Sequence, residues 1–122
     1  MYEFEQNVPR IVQESVPGKQ ITLAHIIANP DASLYRKMGL DPTVDYSNKS
    51  AIGILSMTPS EYAIIAADIS MKSSGAEVGF VDRFAGTLSV TGTVSEVEAA
   101  LEACITYAEE KLGFHVCAVT KT

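Results

Sequence analysis

Two spacings of apolar and polar positions run through this chain. The first is the alternation of strands. Over Pro9–Val16, Val12 and Val16 stand on one side, and Gln13 and Ser15 on the other, which predicts a short strand. Pro17-Gly18 then marks a turn. Gln20–Ile27 is a second, more apolar strand. A short helix over Pro30–Met38 follows, capped by Asn29 or Asp31 and stopped by Gly39. Asp41–Ser50 has the Asp, Pro, Asn and Ser content of a loop. Ala51–Met57 is apolar almost throughout, as in a strand buried on both faces or in an interface.

The second spacing is helical. Thr58-Pro59-Ser60-Glu61 predicts a capping box, with Pro at the tolerated first helical position. The helix extends to about Ser73 with a stripe of Tyr62, Ile65, Ala66 and Ile69, widened by Ala63, Ala67 and Met71. Beyond Ser74-Gly75 the pattern reads strand Glu77–Val81, turn Asp82–Gly86, strand Thr87–Gly92. Ser95 to Glu98 predicts a second capping box. Its helix carries Val97, Ala100, Leu101, Cys104, Ile105, Ala108 and Leu112 along one face and stops at Gly113. Phe114–Val119 is the last strand.

Residues 51–122 therefore read β-α-β-β-α-β, the ferredoxin-like split βαβ arrangement. The fold class is α/β in the broad sense, more strictly α+β, with helices covering one face of a sheet. Residues 1–18 are an N-terminal extension and residues 19–122 a single domain. The strand in the extension cannot stand alone and needs a partner sheet, in its own domain or in another subunit.

Composition narrows the function. Nine Lys and Arg against fifteen Asp and Glu give a net charge of -6 in 122 residues. That balance, without a basic cluster, disfavours nucleic acid and anionic membranes as partners. No apolar run approaches the roughly 20 residues of a membrane span, and the acidic N-terminus lacks a signal pattern, so a cytosolic protein is expected. Cys104 and Cys117 lie in apolar patterns, and His25 and His115 are far apart, so neither a metal site nor a cofactor is expected. Glycine-rich phosphate loops and nucleophile elbows are missing. His25 on an apolar strand reads as packed, Asp68 as a helix-surface or interface residue, and the Asp82-Arg83 pair, taken alone, as a solvated turn. The chain is not expected to be an enzyme.

An ordered set of segments adds to this. Ala51-Ile-Gly-Ile-Leu-Ser-Met-Thr58, Ala66-Ala-Asp-Ile-Ser-Met-Lys72, Val78-Gly-Phe-Val-Asp-Arg-Phe-Ala-Gly86 and Gly92-Thr-Val-Ser-Glu-Val-Glu98 together resemble the bacterial microcompartment (BMC) shell-protein domain. Ile11 to Pro30 resembles the opening of that family's circularly permuted branch, the EutS/PduU type of ethanolamine and propanediol compartments. The resemblance implies a structural protein: a cyclic homohexamer that tiles, with other shell proteins, into the shell of an organelle in the cytoplasm. It implies a pore loop at Asp82, Arg83, Phe84, Ala85 and Gly86, and a hexamer edge at Lys72 and Asn29. It also implies that Ile11, Val12, Gln13, Glu14, Ser15 and Val16 give one strand per subunit to a small β-barrel over the pore, which plugs it or docks the tails of encapsulated enzymes. Ordinary members carry Arg near the position of Asn29, so the edge here lacks that charge. Ethanolamine, propanediol and choline utilization all suit this resemblance. Fold analogy alone offers another reading, a small ferredoxin-like ligand-binding regulatory protein.

Overall fold

The computed structural model describes residues 18–122. Eight elements follow one another: β1 (Gln20–Ala28), α1 (Leu34–Lys37), β2 (Ala51–Thr58), α2 (Tyr62–Ser73), β3 (Glu77–Asp82), β4 (Thr87–Gly92), α3 (Val94–Leu112) and β5 (Thr120–Lys121). The strand expected over Ile11–Val16 lies outside the described residues.

The five strands form one sheet in the order β3-β4-β2-β1-β5. β1 pairs antiparallel with β2, β2 with β4, and β4 with β3, while β5 runs parallel to β1. A ferredoxin-like sheet would place the last strand directly beside β2. Here β1 takes that place and displaces β5 outward. The segment preceding the β-α-β-β-α-β unit thus completes its sheet.

The alternation within β2 sends its side chains to two cores. Ala51, Leu55 and Met57 join the larger one with Ile21, Ala24, Ile26, Leu88 and Val90, under α2 and α3. Gly53 lets α3 come close on that face, since a Cβ would fall 2.6 Å from Val97 and 2.9 Å from Val90. Ile52 points the other way and packs with Tyr35 and Leu40, beside Ile54 and Tyr46. The two long helices cover one face, as expected. The short α1 and the loop after it cover part of the other, which explains the continuous apolar run of β2.

Four local expectations shift. The capping box at Thr58–Glu61 does not form: α2 starts after Glu61 with no side-chain cap, because Thr58 remains in β2, paired with Gln20. The second box forms two residues early, with Glu96 N–H donating to Thr93 Oγ1 (3.2 Å) and Thr93 N–H to Glu96 Oε1 (2.9 Å). The expected strand at Phe114–Val119 is reduced to one bridge, His115 to Gln20, and the strand proper is Thr120–Lys121. Phe114 turns inward against Tyr62 (centroids 4.7 Å apart), and Val116, Cys117 and Val119 pack on the core. Finally, α1 is one turn long, and Asp31 accepts from the backbone and hydroxyl of Ser33 just before it.

The α2 stripe is also rotated from its expected position. Tyr62, Ala63, Ala66, Ala67 and Ser70 are buried, whereas Ile64, Ile65 and Met71 are exposed. Small side chains face the sheet and α3, so the helix backbone seats closely. The larger apolar residues are left outside.

Candidate functional site

The turn that joins β3 to β4 is organised by one carboxylate. Asp82 accepts from the backbone N–H groups of Phe84 (2.9 Å) and Ala85 (3.0 Å), and its carbonyl accepts from Gly86 (2.9 Å). An Asp hydrogen-bonded to the amides ahead of it is the turn chemistry that its short side chain permits. Gly86 has φ of +79°, and a Cβ there would collide with the Met57 carbonyl. Only glycine suits both demands. The Gly86 carbonyl in turn accepts from Met57 N–H at 2.9 Å, which ties the turn to the end of β2.

What this framework presents is an aromatic and a cation. Phe84 is 81% exposed, the most open large apolar residue among those described. The guanidinium of Arg83 lies 4.7 Å from the centre of its ring, a cation–π contact. Phe80, Val81 and Leu23 are exposed near the same end of the sheet. These three were not singled out in the sequence: Phe80 and Val81 are neighbours in one strand, which strict alternation would send to opposite faces, and the register shift between Val78 and Phe80 breaks that alternation.

Lys72 and Asn29 lie at the other end. Lys72 Nζ is 2.8 Å from Asp68 Oδ2, one helical turn earlier, and both side chains are open to solvent. The Asp68 carboxylate, by hydrogen bond and by charge, holds the Lys72 ammonium above its usual range. Asn29 is exposed with φ of +50°, a conformation that Asn tolerates better than most residues, and its N–H donates to Ser50 O at 2.7 Å. The pairings Ala28–Ala51, Ala51–Gly92 and Glu77–Thr91 define this end, and Gln20–Thr58 and Asp82–Thr87 define the turn end. The fold therefore brings the five turn residues together and separates them from Lys72 and Asn29 by the length of the sheet, roughly 26 Å for the eight residues of β2. Gln20, at the start of β1, pairs with Thr58, so the chain before β1 leaves from the turn end.

The candidate nucleophiles and bases are occupied elsewhere. Burial pushes the Cys104 thiol up to about 11, and the sulfur contacts Ser70 Oγ (3.4 Å) and Ala66 O (3.3 Å). His25 has Nδ1 2.6 Å from Thr120 Oγ1 and Nε2 3.0 Å from Thr122 Oγ1, and so joins β1 to the β5 region. Among the described residues, no group of three or more His, Cys, Asp or Glu could hold a metal ion, and no helix is long and apolar enough to cross a membrane.

Comparison with known proteins gives a consistent result. A family model described as BMC domain matches residues 51–120. The bacterial microcompartment shell protein PduU of Salmonella typhimurium (strain LT2) is 49% identical over 120 residues, which is 98% of this chain and 99% of that protein. Among solved structures, a flat hexamer of CutR (form 1) matches with TM-score 0.78 and 46% identity, covering 93% of this chain and 100% of the other. A screw form of CutR with 41.9 Å pitch matches with TM-score 0.77 and 44% identity, covering 87% and 100%.

Proposed function

The chain belongs to the BMC domain family, and on that premise we propose that it is a structural shell protein of a bacterial microcompartment, working as a cyclic hexamer. The observation that carries this reading is the likeness to shell proteins over nearly the full chain, at 49% identity to PduU. The fold supports the same role. It places an aromatic-cationic turn and a charged, polar edge at opposite ends of one sheet.

In a ring, the turn end points to the symmetry axis and the far end to the perimeter. Asp82–Gly86 is then the pore loop, and six copies of Arg83 and Phe84 converge. Lys72 and Asn29 lie on the rim, where the ammonium reaches a neighbouring hexamer and Asn29 adds only hydrogen bonding. Residues 1–18 form an extension to the single domain of residues 19–122. Because β1 starts at the turn end, Ile11–Val16 is well placed to give one strand per subunit to a barrel over the axis, where closure leaves no open strand edges. Such a barrel plugs the pore or docks the tails of encapsulated enzymes. Other shell proteins are the partners across the rim, and the shell lies in the cytoplasm.

Native mass spectrometry tests the ring, with a hexamer expected. A stable monomer or trimer at high concentration would refute it. Deleting residues 1–16 should leave a folded hexamer with an open axis. An unfolded product would show that the segment is part of the domain.

A further inference from the structure

The edge strand β3 exposes large apolar side chains on both of its faces. Val81 pairs with Leu88, which is buried beneath the helices, so Val81 lies on the helix side of the sheet. Phe80 pairs with Ser89, and Ser89 with Ile54, which packs with the smaller core on the other side. Both Phe80 and Val81 are exposed. Only Glu77 and Asp82, at the two ends of the strand, are charged. The edge thus lacks the central charge or proline that commonly guards an open strand.

α2 extends the same surface. It packs over β3, β4 and β2, whereas α3 packs over β4, β2 and β1. The flank of α2 turned away from α3 therefore lies above the β3 edge. Ile69 borders a groove with Ala103 and Tyr107 of α3, and Ile65, one turn earlier, shares that inner flank. Ile64 and Met71, two turns apart, lie on the outer one. They are 50% and 55% exposed, the most open large apolar side chains of the described residues after Phe84. Their stripe runs along α2 from the turn end toward Lys72.

Resting on the hexamer reading above, we propose that this surface, made by Ile64, Met71, Phe80 and Val81, is the side on which each subunit of the ring receives its neighbour, a second copy of the chain. Side chains exposed on both faces of an edge are covered together only by a partner that comes from the side. The stripe spans the subunit between the turn and the rim, so the partner lies along a radius rather than beyond the rim. The surface continues through Asp82 into Arg83 and Phe84, so the axis and the side are closed by the same copy. A rotation about the turn end sets this edge against a different side of the next copy, and each subunit gives the contact once and receives it once. The register shift between Val78 and Phe80 interrupts the ladder on this strand, so the neighbour joins through side chains rather than as a sixth strand.

Native mass spectrometry of the full-length protein over a dilution series tests this, with circular dichroism to follow folding. The unaltered protein is expected as a hexamer. Val81→Glu and Met71→Glu should each lose the hexamer and give folded monomer. Ile64→Ala, which only shortens a side chain, should raise the concentration of half-dissociation by about tenfold or more. Ile65→Glu and Tyr107→Glu, on the α3 side of the helix pair, should leave the hexamer intact. A hexamer that persists in folded Val81→Glu and Met71→Glu, or that is lost equally in Ile65→Glu, would overturn this placement alone. An unaltered protein that stays monomeric would overturn the hexamer reading and the placement with it. If Val81→Glu does not fold, Met71→Glu and Ile64→Ala decide, since both are solvent-exposed helix positions.

Discussion

The two ends of the sheet are built on different physics. The turn end is held by backbone hydrogen bonds to one carboxylate and by a glycine that no other residue replaces, and it exposes Phe84, Phe80, Val81 and Leu23. The far end carries the exposed Asp68–Lys72 ion pair and the capping box of Thr93 and Glu96. Exposed apolar groups gain most where contact with another copy is permanent. Exposed ion pairs contribute little and are screened by salt, which suits contacts that form and part. In the proposed ring, the first property suits a fixed axis and the second an adjustable rim.

The sharpest way to break the turn end is Gly86→Val. A β-branched residue would have to adopt a positive φ and press on the Met57 carbonyl, at a cost of about 3 kcal/mol. Thermal unfolding should show a large fall in Tm, and an unchanged Tm would mean that the turn is not the rigid element described. Asp82→Ala removes the acceptor for two amides and should cost about 1–2 kcal/mol in denaturant titration. Asp82→Asn keeps one acceptor oxygen and should recover most of that. Equal losses for both would show that the charge, rather than the hydrogen bonds, holds the turn.

At the far end, Thr93→Ala should cost about 1 kcal/mol, the usual worth of a helix cap, with ring mass unchanged. If Ser95→Ala cost as much, the cap would lie where the sequence first suggested. The smallest effect on the subunit belongs to Lys72→Ala. The ion pair is exposed, so stability should move by less than about 0.5 kcal/mol, while higher assembly, followed by light scattering against salt, weakens. Loss of the hexamer itself would place Lys72 inside the ring.

Much of the architecture was legible along the chain. Glu77–Val81, the turn and Thr87–Gly92 lie within a residue of where alternation put them. The stripe from Val97 to Ala108 is the buried face of α3. These elements are specified by local spacing and by residues that permit only one conformation. The cap of α3 was not so specified, because Thr93-x-x-Glu96 and Ser95-x-x-Glu98 both satisfy the pattern, and β4, continuing through Gly92, left Thr93 to start the helix. For α2, an apolar residue occurs at nearly every position, so periodicity could not say which side faced inward. Close packing selected the alanines.

By itself, the sequence determined the two long helices and strands β1 to β4, the polar-aromatic turn and its Asp and Gly, and the ordered segments that resemble one family. Local hydrogen bonding, backbone sterics and hydrophobic period are enough for these. The tertiary structure decided that β1 lies between β2 and β5, that the turn and Lys72 stand at opposite ends, and that Tyr35 and Tyr46 stack beside the loop after α1. Strand order arises from contacts between residues distant along the chain, and no local pattern encodes which of the possible pairings buries the most surface.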